Sequence, residues 1–240
     1  LSYTRAQDGK LQKSSENILL PMGAGEGASA STPQGLVCIG GLAEKGLSDR
    51  VFLLSADLDK ITIDELPSLP KGIKHSAAVS HGSIVYLIGG ETDKGPSNMF
   101  LMLDVSNPKA GWQSLADFPI PVSAASAALQ MDGEGLNIYV FGGRALLPGQ
   151  TQTTFYAGTY QYSFKNSSWF AKKDITGDGN ISFPLAAANA VAMGASHIII
   201  TGGDQGDTYN QVEQAIYNMQ QMLPNARQHR DSLWQNYPGF

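Results

Sequence analysis

The sequence of 240 residues contains a single cysteine, and only 15% of its residues are charged. A lone cysteine excludes an intrachain disulfide and any zinc site that is built from several cysteines. The net charge of −5 at pH 7 argues against a nucleic-acid or anionic-membrane surface, because such surfaces need clustered lysine and arginine. No run of about 18 apolar residues occurs. The sequence therefore predicts neither a nucleic-acid partner nor insertion into a membrane.

Glycine is abundant by contrast, and much of it belongs to an internal repeat. Four apolar segments end in a Gly-Gly pair: GLVCIGG (35–41), IVYLIGG (84–90), NIYVFGG (137–143) and HIIITGG (197–203). The pairs recur at intervals of 49, 53 and 60 residues, and each follows a proline and an Ala- and Ser-rich stretch. Further strand-like segments follow the first three pairs. Each unit of about 50 residues therefore predicts four short strands, which is the composition of a propeller blade.

A Gly-Gly pair after a β segment, with a tryptophan further along the unit, resembles the kelch repeat. We therefore expect an all-β, kelch-type β-propeller that forms a single domain over residues 1–240. Its expected parts are the end of one blade (1–20), three complete blades (21–70, 71–119 and 120–175) and the start of a further blade (176–240). A repeated β-sandwich is the alternative. A sandwich, however, would not need a small-residue strand in each unit, whereas a propeller packs its innermost strands around a narrow axis.

The C-terminal part of the sequence departs from the strand pattern and predicts a helical insertion over residues 208–230. Val212, Ala215, Ile216 and Met219 recur at helical spacing, which predicts a short amphipathic helix before Pro224.

Within the kelch proteins, the sequence resembles the cyclically permuted branch of the sialic acid mutarotase (N-acetylneuraminate epimerase) family. The resemblance is carried by STPQGLVCIGG at Ser31, LPSLP at Leu66, LNIYVFGGR ending at Arg144, ASHIIITGGDQG at Ala195 and the helical insertion after Asp204. It implies a bacterial, six-bladed propeller that interconverts the α and β anomers of N-acetylneuraminate, a small-molecule sugar acid. It also implies a periplasmic location, although no signal peptide is visible in this sequence.

The resemblance also concerns a catalytic glutamate in a motif of the form G-E-x-x-P-G-x-R-T. The nearest strings, GGETDKGPSN from Gly89 and GGLAEKGLSD from Gly40, do not keep the P-G-x-R-T half. The family places this motif in the blade after the helical insertion, which implies a position beyond Phe240. We therefore expect the 240 residues alone to lack mutarotase activity. We also expect them to form a homo-oligomer or to pair with a second chain that supplies the missing strands.

Mutarotation opens a pyranose ring and recloses it on the other face, which requires a base at the anomeric hydroxyl and an acid at the ring oxygen. It requires no metal and no cofactor. An arginine is the preferred partner for the sugar carboxylate, because its planar fork binds carboxylates through two parallel hydrogen bonds.

Propeller geometry predicts where such groups meet. Residues just after each Gly-Gly pair and residues at the start of each small-residue strand should encircle one mouth of the central channel. The first group contains Leu42, Glu91, Arg144 and Asp204, and the second contains Glu26, Lys74, His75, Ser123 and Asn189.

Among these residues, Arg144 is the candidate anchor for the carboxylate, and Lys74, Asp204 and Asn189 are further candidates for substrate binding. The candidates for acid–base catalysis are Glu91, Glu26 and His75. Each also has a structural alternative: a surface salt bridge for Arg144, a solvated loop carboxylate for the two glutamates, a turn or helix cap for Asp204, and a hydrogen-bonded structural imidazole for His75.

Two other functions are compatible with kelch blades. A non-catalytic carbohydrate- or protein-binding module is the first, because a fold alone does not imply chemistry. The second is a copper oxidase of the galactose-oxidase kind, which needs a Tyr–Cys pair and histidine ligands, whereas Cys38 falls inside a predicted buried strand. The segment from Asp174 imitates a calcium loop but has Leu185 where the bidentate glutamate is required, so no metal site is predicted.

Overall fold

The structure, a computed structural model, describes residues 3–5, 11–13, 25–57 and 60–222. In chain order, its strands are β1 (Tyr3–Arg5), β2 (Leu11–Lys13), β3 (Ala28–Thr32), β4 (Gly35–Ile39), β5 (Leu42–Ala43), β6 (Gly46–Leu47), β7 (Val51–Asp57), β8 (Lys60–Leu66), β9 (Ala77–His81), β10 (Ile84–Ile88), β11 (Glu91–Thr92), β12 (Gly95–Pro96), β13 (Phe100–Asp104), β14 (Gln113–Ser114), β15 (Ser126–Asp132), β16 (Gly135–Phe141), β17 (Arg144–Ala145), β18 (Thr154–Phe155), β19 (Thr159–Ser163), β20 (Ser168–Lys172), β21 (Ala186–Met193) and β22 (His197–Asp204). Short 3-10 turns span Pro108–Ala110 and Asp178–Asn180, and helix α1 spans Asp207–Met222.

Three sheets contain four antiparallel strands each, in the order in which the strands follow one another along the chain. They are sheet I (β3-β4-β7-β8), sheet II (β9-β10-β13-β14) and sheet III (β15-β16-β19-β20). A fourth, sheet IV, contains β21 and β22, and β1 pairs with β2. The first strands of successive sheets pack against one another, β3 on β9, β9 on β15 and β15 on β21. This arrangement confirms the predicted all-β, kelch-type propeller, with the Ala- and Ser-rich strands innermost.

In sheets I to III a Gly-Gly pair directly follows the second strand and binds the next blade. The second glycine donates its N–H to a carbonyl of the following unit, in the pairs Gly41 to Ile73 (2.7 Å), Gly90 to Val122 (2.8 Å) and Gly143 to Leu185 (2.7 Å). The first glycine is in the left-handed region, with φ near 60° at Gly40, Gly89 and Gly142. A Cβ on Gly40 would lie only 2.5 Å from the carbonyl oxygen of Ile73, so the approach of the blades requires glycine.

Apolar side chains fill the spaces between the sheets. One cluster joins sheets I and II and includes Val37, Val51, Val85 and Leu103. A second joins sheets II and III and includes Ile88, Phe100, Ile138 and Val140. Each such side chain contributes about 1.5–3 kcal/mol when it is fully buried. The interfaces between blades are therefore the hydrophobic core of the molecule.

The two tryptophans of the repeat lie between blades, where each also has a polar contact. The Nε1–H of Trp112 donates to the carbonyl oxygen of Pro67 in the preceding blade, at 2.9 Å. Trp169 makes the equivalent bond to Ala116, at 2.9 Å, and its ring lies edge-on to Phe100 and Phe118. In the second and third units, the spaced tryptophan thus attaches the outer strands to the blade before it.

A short hairpin follows each of the first three Gly-Gly pairs: β5–β6, β11–β12 and β17–β18. After the fourth pair the chain forms α1 instead, which confirms a helix in the predicted insertion; residues 223–230 of that insertion lie outside the described residues. Strands β1 and β2 fall within 1–20, and the other residues of that segment are not among those described. The division of the chain into blades and the count of six blades stay predictions. No helix in the described part of the chain has both the length and the apolar character needed to cross a membrane.

Candidate functional site

The residues that follow the Gly-Gly pairs meet the residues that precede the innermost strands at one end of the sheets. Backbone bridges join Gly25 to Leu42, Lys74 to Glu91 and Ser123 to Arg144, and the register of sheet IV joins Ala186 to Asp204 in the same way. The same contact therefore recurs in four successive units and defines one rim, which we call the mouth.

A chain of backbone hydrogen bonds runs around the mouth from unit to unit. The N–H of His75 donates to the carbonyl of Glu26 (2.9 Å), that of Ala124 to His75 (2.7 Å) and that of Ala187 to Ala124 (2.8 Å). All four residues are in the left-handed region, with φ of 58°, 54°, 51° and 55° for Glu26, His75, Ala124 and Ala187. This conformation costs about 1–3 kcal/mol per non-glycine residue, and the hydrogen bonds between units offset part of that cost.

Two blades contribute charged side chains that contact one another at the mouth. The Glu26 Oε2 accepts a hydrogen bond from Lys74 Nζ at 2.9 Å and lies 3.2 Å from His75 Nε2. On the other side of the imidazole, Nδ1 lies 3.9 Å from Glu91 Oε2. The His75 Nδ1 is buried and has no hydrogen-bond partner among the described residues. The imidazole therefore lies between two carboxylates.

Both carboxyl groups are held in the ionised form. The hydrogen bond from Lys74 lowers the pKa of Glu26, and this effect outweighs the cost of burying the charge. The pKa of Glu91 is lowered by its interaction with the His75 ring, and the charges of Lys74, His75 and Arg144 act in the same direction against desolvation. At neutral pH these groups are thus suited to accept protons rather than to donate them.

Arg144 projects from the start of β17 and stacks on an aromatic ring. Its Cζ lies 4.3 Å from the ring centroid of Tyr209, which belongs to the first turn of α1. Burial raises the pKa of Tyr209, and the charges of Arg144, Glu91 and Lys74 also act on it. Helix α1 therefore brings an aromatic side chain to the charged cluster of the mouth.

Tyr209 is not among the site residues predicted from the sequence. A signal was present, because in the first two units the returning strand of the hairpin begins five residues after the Gly-Gly pair, at Gly46 and Gly95, and Tyr209 follows Gly203 by a similar interval of six residues. The helical pattern of the insertion concealed this equivalence.

The structure brings together five of the seven predicted site residues: Glu26, Lys74, His75, Glu91 and Arg144. Asp204 lies on the same rim, but its Oδ1 accepts a hydrogen bond from the Gly206 N–H at 2.7 Å, so it caps the turn before α1. The expectation that Asn189 lies at the start of its strand is wrong. Asn189 is exposed within β21, opposite Thr201, and Ala187 takes the position equivalent to Glu26 and His75.

The rest of the rim is small or apolar. Ser123 is buried and its hydroxyl donates to the carbonyl of Arg144 at 3.2 Å, while Leu42 is exposed. Within residues 25–57 and 60–222, no group of three His, Cys, Asp or Glu side chains is placed to hold a metal ion. Cys38 lies in β4 opposite Phe52, and burial raises the pKa of its thiol.

Comparison with known proteins shows which family this sequence matches. The family model described as N-acetylneuraminate epimerase matches residues 66–238, which include most of the mouth and α1. A kelch domain-containing protein of Vibrio cholerae is 28% identical over 150 residues, which cover 62% of this chain and 39% of that protein.

Several relatives carry the family's name. The N-acetylneuraminate epimerase of Vibrio vulnificus is 28% identical over 138 residues, 57% of this chain and 33% of its own. That of Brucella suis is 30% identical over 138 residues, 57% of this chain and 32% of its own. The matched part of the chain thus spans well under half the length of these relatives.

Proposed function

Because the chain belongs to the N-acetylneuraminate epimerase family, we propose that it forms part of an enzyme that interconverts the anomers of N-acetylneuraminate by opening and reclosing the sugar ring. The observation that carries this proposal is the cluster at the mouth. An arginine, two ionised carboxylates, a lysine and an imidazole meet there, whereas Asp204, on the same rim, is engaged in capping the turn before α1. The reaction needs a cation for the sugar carboxylate and groups that accept and donate protons, and the cluster contains both.

In this proposal Arg144 binds the sugar carboxylate. The guanidinium carbon lies over the Tyr209 ring, and the N–H groups of the guanidinium are those that form two parallel hydrogen bonds to a carboxylate. Lys74 lies at the same rim and adds positive charge, although its ammonium is already bonded to Glu26. An acidic sugar is therefore favoured over a neutral one.

The two carboxylates, Glu26 and Glu91, and the His75 imidazole between them carry out proton transfer in this proposal. In ring opening, a base takes the proton of the anomeric hydroxyl, the carbonyl forms, the bond to the ring oxygen breaks, and that oxygen receives a proton. The ionised Glu91 is suited to the first step. His75, 3.9 Å from Glu91 and 3.2 Å from Glu26, is suited to pass a proton between them, which conserves the charge of the site. The glutamate that the family resemblance places after the insertion would act beside this group.

The test measures the approach of freshly dissolved, crystalline N-acetylneuraminate to anomeric equilibrium by proton NMR, with and without the purified full-length protein. We expect acceleration by the protein. Arg144→Gln should raise KM about 10- to 100-fold, because a charge-assisted hydrogen-bond pair is lost, whereas Glu91→Gln should lower mainly kcat.

Arg50→Gln is the matched control for Arg144→Gln. Arg50 also stacks on a ring, with its Cζ 4.7 Å from the ring centroid of Phe52. Unlike Arg144, it pairs with a carboxylate, Glu65, at 2.9 Å, and it directly precedes β7, the third strand of sheet I. Its replacement should leave the anomer kinetics unchanged. An equilibration rate that is the same with and without the wild-type protein would reject the proposal.

A non-catalytic binding module is the second candidate, and the kelch domain-containing relative of Vibrio cholerae is compatible with it. A module of this kind should bind N-acetylneuraminate in a way that depends on Arg144, yet leave the rate of anomer exchange unaltered. Saturation-transfer NMR together with the kinetic assay separates the two functions.

A further inference from the structure

Helix α1 is attached to the hairpin β17–β18 by a reciprocal pair of hydrogen bonds. The Asn210 Oδ1 accepts from the Thr153 N–H at 3.2 Å, and the Asn210 Nδ2 donates to the Thr153 carbonyl at 3.2 Å. A side-chain amide thus imitates the pairing of a neighbouring strand. The first turn of α1 is thereby fixed in register with the strand that pairs with Arg144.

The backbone at Gly206 lies close to the ring of Phe155, and this contact strengthens the attachment of α1 to the hairpin. Gly206 has a φ of 99°, and a Cβ there would lie 2.5 Å from a ring carbon of Phe155. Phe155 pairs with Arg144 across the hairpin, and its ring centroid lies 5.8 Å from that of Tyr209, at 65°. Tyr209 therefore contacts both the Phe155 ring and the Arg144 guanidinium.

The contact between Arg144 and Tyr209 leaves the positive charge of the guanidinium available for a bound anion. Burial raises the pKa of Tyr209, so its phenol is neutral at physiological pH and its ring face is the partner of the cation. In the described part of the chain, no carboxylate oxygen lies within 4.0 Å of the Arg144 guanidinium. The arginine is thus held by a ring and not neutralised by an acid.

From this geometry we propose that Tyr209 is a positioning residue for Arg144. Its ring fixes the plane of the guanidinium, and because a ring does not use the N–H edge, that edge remains free for an incoming carboxylate. The inference rests on the proposed function for the identity of that carboxylate, the acid group of N-acetylneuraminate. It assigns a role to the helix that replaces the hairpin of the other units.

The test compares Tyr209→Phe, which keeps a ring, with Tyr209→Leu, which removes it, in the full-length protein. Tyr209→Leu should raise KM for N-acetylneuraminate roughly 5- to 30-fold with little change in kcat, and Tyr209→Phe should change KM less than about twofold. The preference for N-acetylneuraminate over its methyl ester should fall by a similar factor in Tyr209→Leu, because the ester does not engage the guanidinium as a carboxylate does. Phe52→Leu, which removes the ring beside Arg50, is the matched control and should change neither quantity.

A second readout does not depend on activity. The ring current of Tyr209 should shield the Nε–H of Arg144, so its proton signal in a ¹⁵N-correlated spectrum should keep its shift in Tyr209→Phe and move toward that of a free arginine in Tyr209→Leu. If Tyr209→Leu does not fold, Tyr209→Trp replaces it, because the larger indole should increase the shielding. An Nε–H shift that is the same in all variants would overturn the proposal, as would a KM unchanged in Tyr209→Leu. A wild-type protein that neither binds nor interconverts N-acetylneuraminate would overturn the proposed function, while the Nε–H shift would still decide whether Tyr209 holds Arg144.

Discussion

At the scale of single residues, Lys74 sets the charge state of the mouth. Its ammonium bonds to Glu26 and its charge also acts on Glu91, and both effects lower the pKa of the carboxyl groups. A carboxylate with a lowered pKa stays ionised above that pKa and loses its charge as the pH falls through it. Activity that depends on these bases should therefore persist to a pH below 4.5, the ordinary carboxyl value, before it declines.

Replacing Lys74 should shift this decline. We expect Lys74→Met to raise the pKa of Glu26 and Glu91 and to move the acidic limb of the pH–rate profile to higher pH, measured by the NMR anomer assay. The loss of stability at pH 7 should stay below about 1 kcal/mol, because the pair is partly exposed, and should vanish as the pH falls through the carboxyl pKa. Lys71→Met, three residues earlier and exposed, is the control. An acidic limb unmoved by Lys74→Met would show that these carboxylates are not the bases.

At the scale of the repeated element, the Gly-Gly pair connects blade to blade. The first glycine of the pair in sheet II, Gly89, has a φ of 60°, and a Cβ there would overlap the carbonyl oxygen of Val122. The equivalent Gly202 of sheet IV also has a positive φ, of 72°, but no described atom within 4 Å of the position of a Cβ. The two positions thus share the backbone conformation and differ in the neighbouring blade.

This pair of glycines gives an internally controlled prediction. Gly202→Ala should cost about 1–2 kcal/mol, which is the strain of a left-handed alanine. Gly89→Ala should cost about 2–5 kcal/mol, because overpacking against Val122 adds to that strain. Thermal denaturation followed by circular dichroism measures the difference. Equal midpoints for the two variants would mean that the contact between blades is not what requires glycine.

The same elements show which parts of the structure were predictable from the sequence. The Gly-Gly pairs and the apolar segments before them are local patterns, so they predicted the second strands, and the ends of these strands predicted the rim. The start of β21 was misplaced because LAAANAVAM is small throughout, and no polar residue marks Ala187 as the counterpart of Glu26 and His75. Helical periodicity predicted α1, but not its attachment to Thr153 and Arg144, which depends on packing against a hairpin more than fifty residues earlier.

At the scale of the whole molecule, the last sheet differs from the other three. Strands β4, β10 and β16 are paired on both edges, whereas β22 is paired only with β21 among the described residues. Large apolar side chains are exposed on this sheet, with Val191 at 59%, Met193 at 53% and Ile199 at 38% exposure. An unpaired edge beside exposed apolar residues favours association through strand pairing.

We therefore expect the 240 residues alone to form oligomers, or to bind a second chain that pairs with β22, and light scattering on the isolated chain measures this. Ile199→Lys should reduce the association, because a charged residue on an edge strand opposes pairing. Met131→Lys, which changes a residue of similar exposure in the complete sheet III, should leave it unaltered. A chain of 240 residues that stays monomeric would contradict association through the edge of β22 that is unpaired among the described residues.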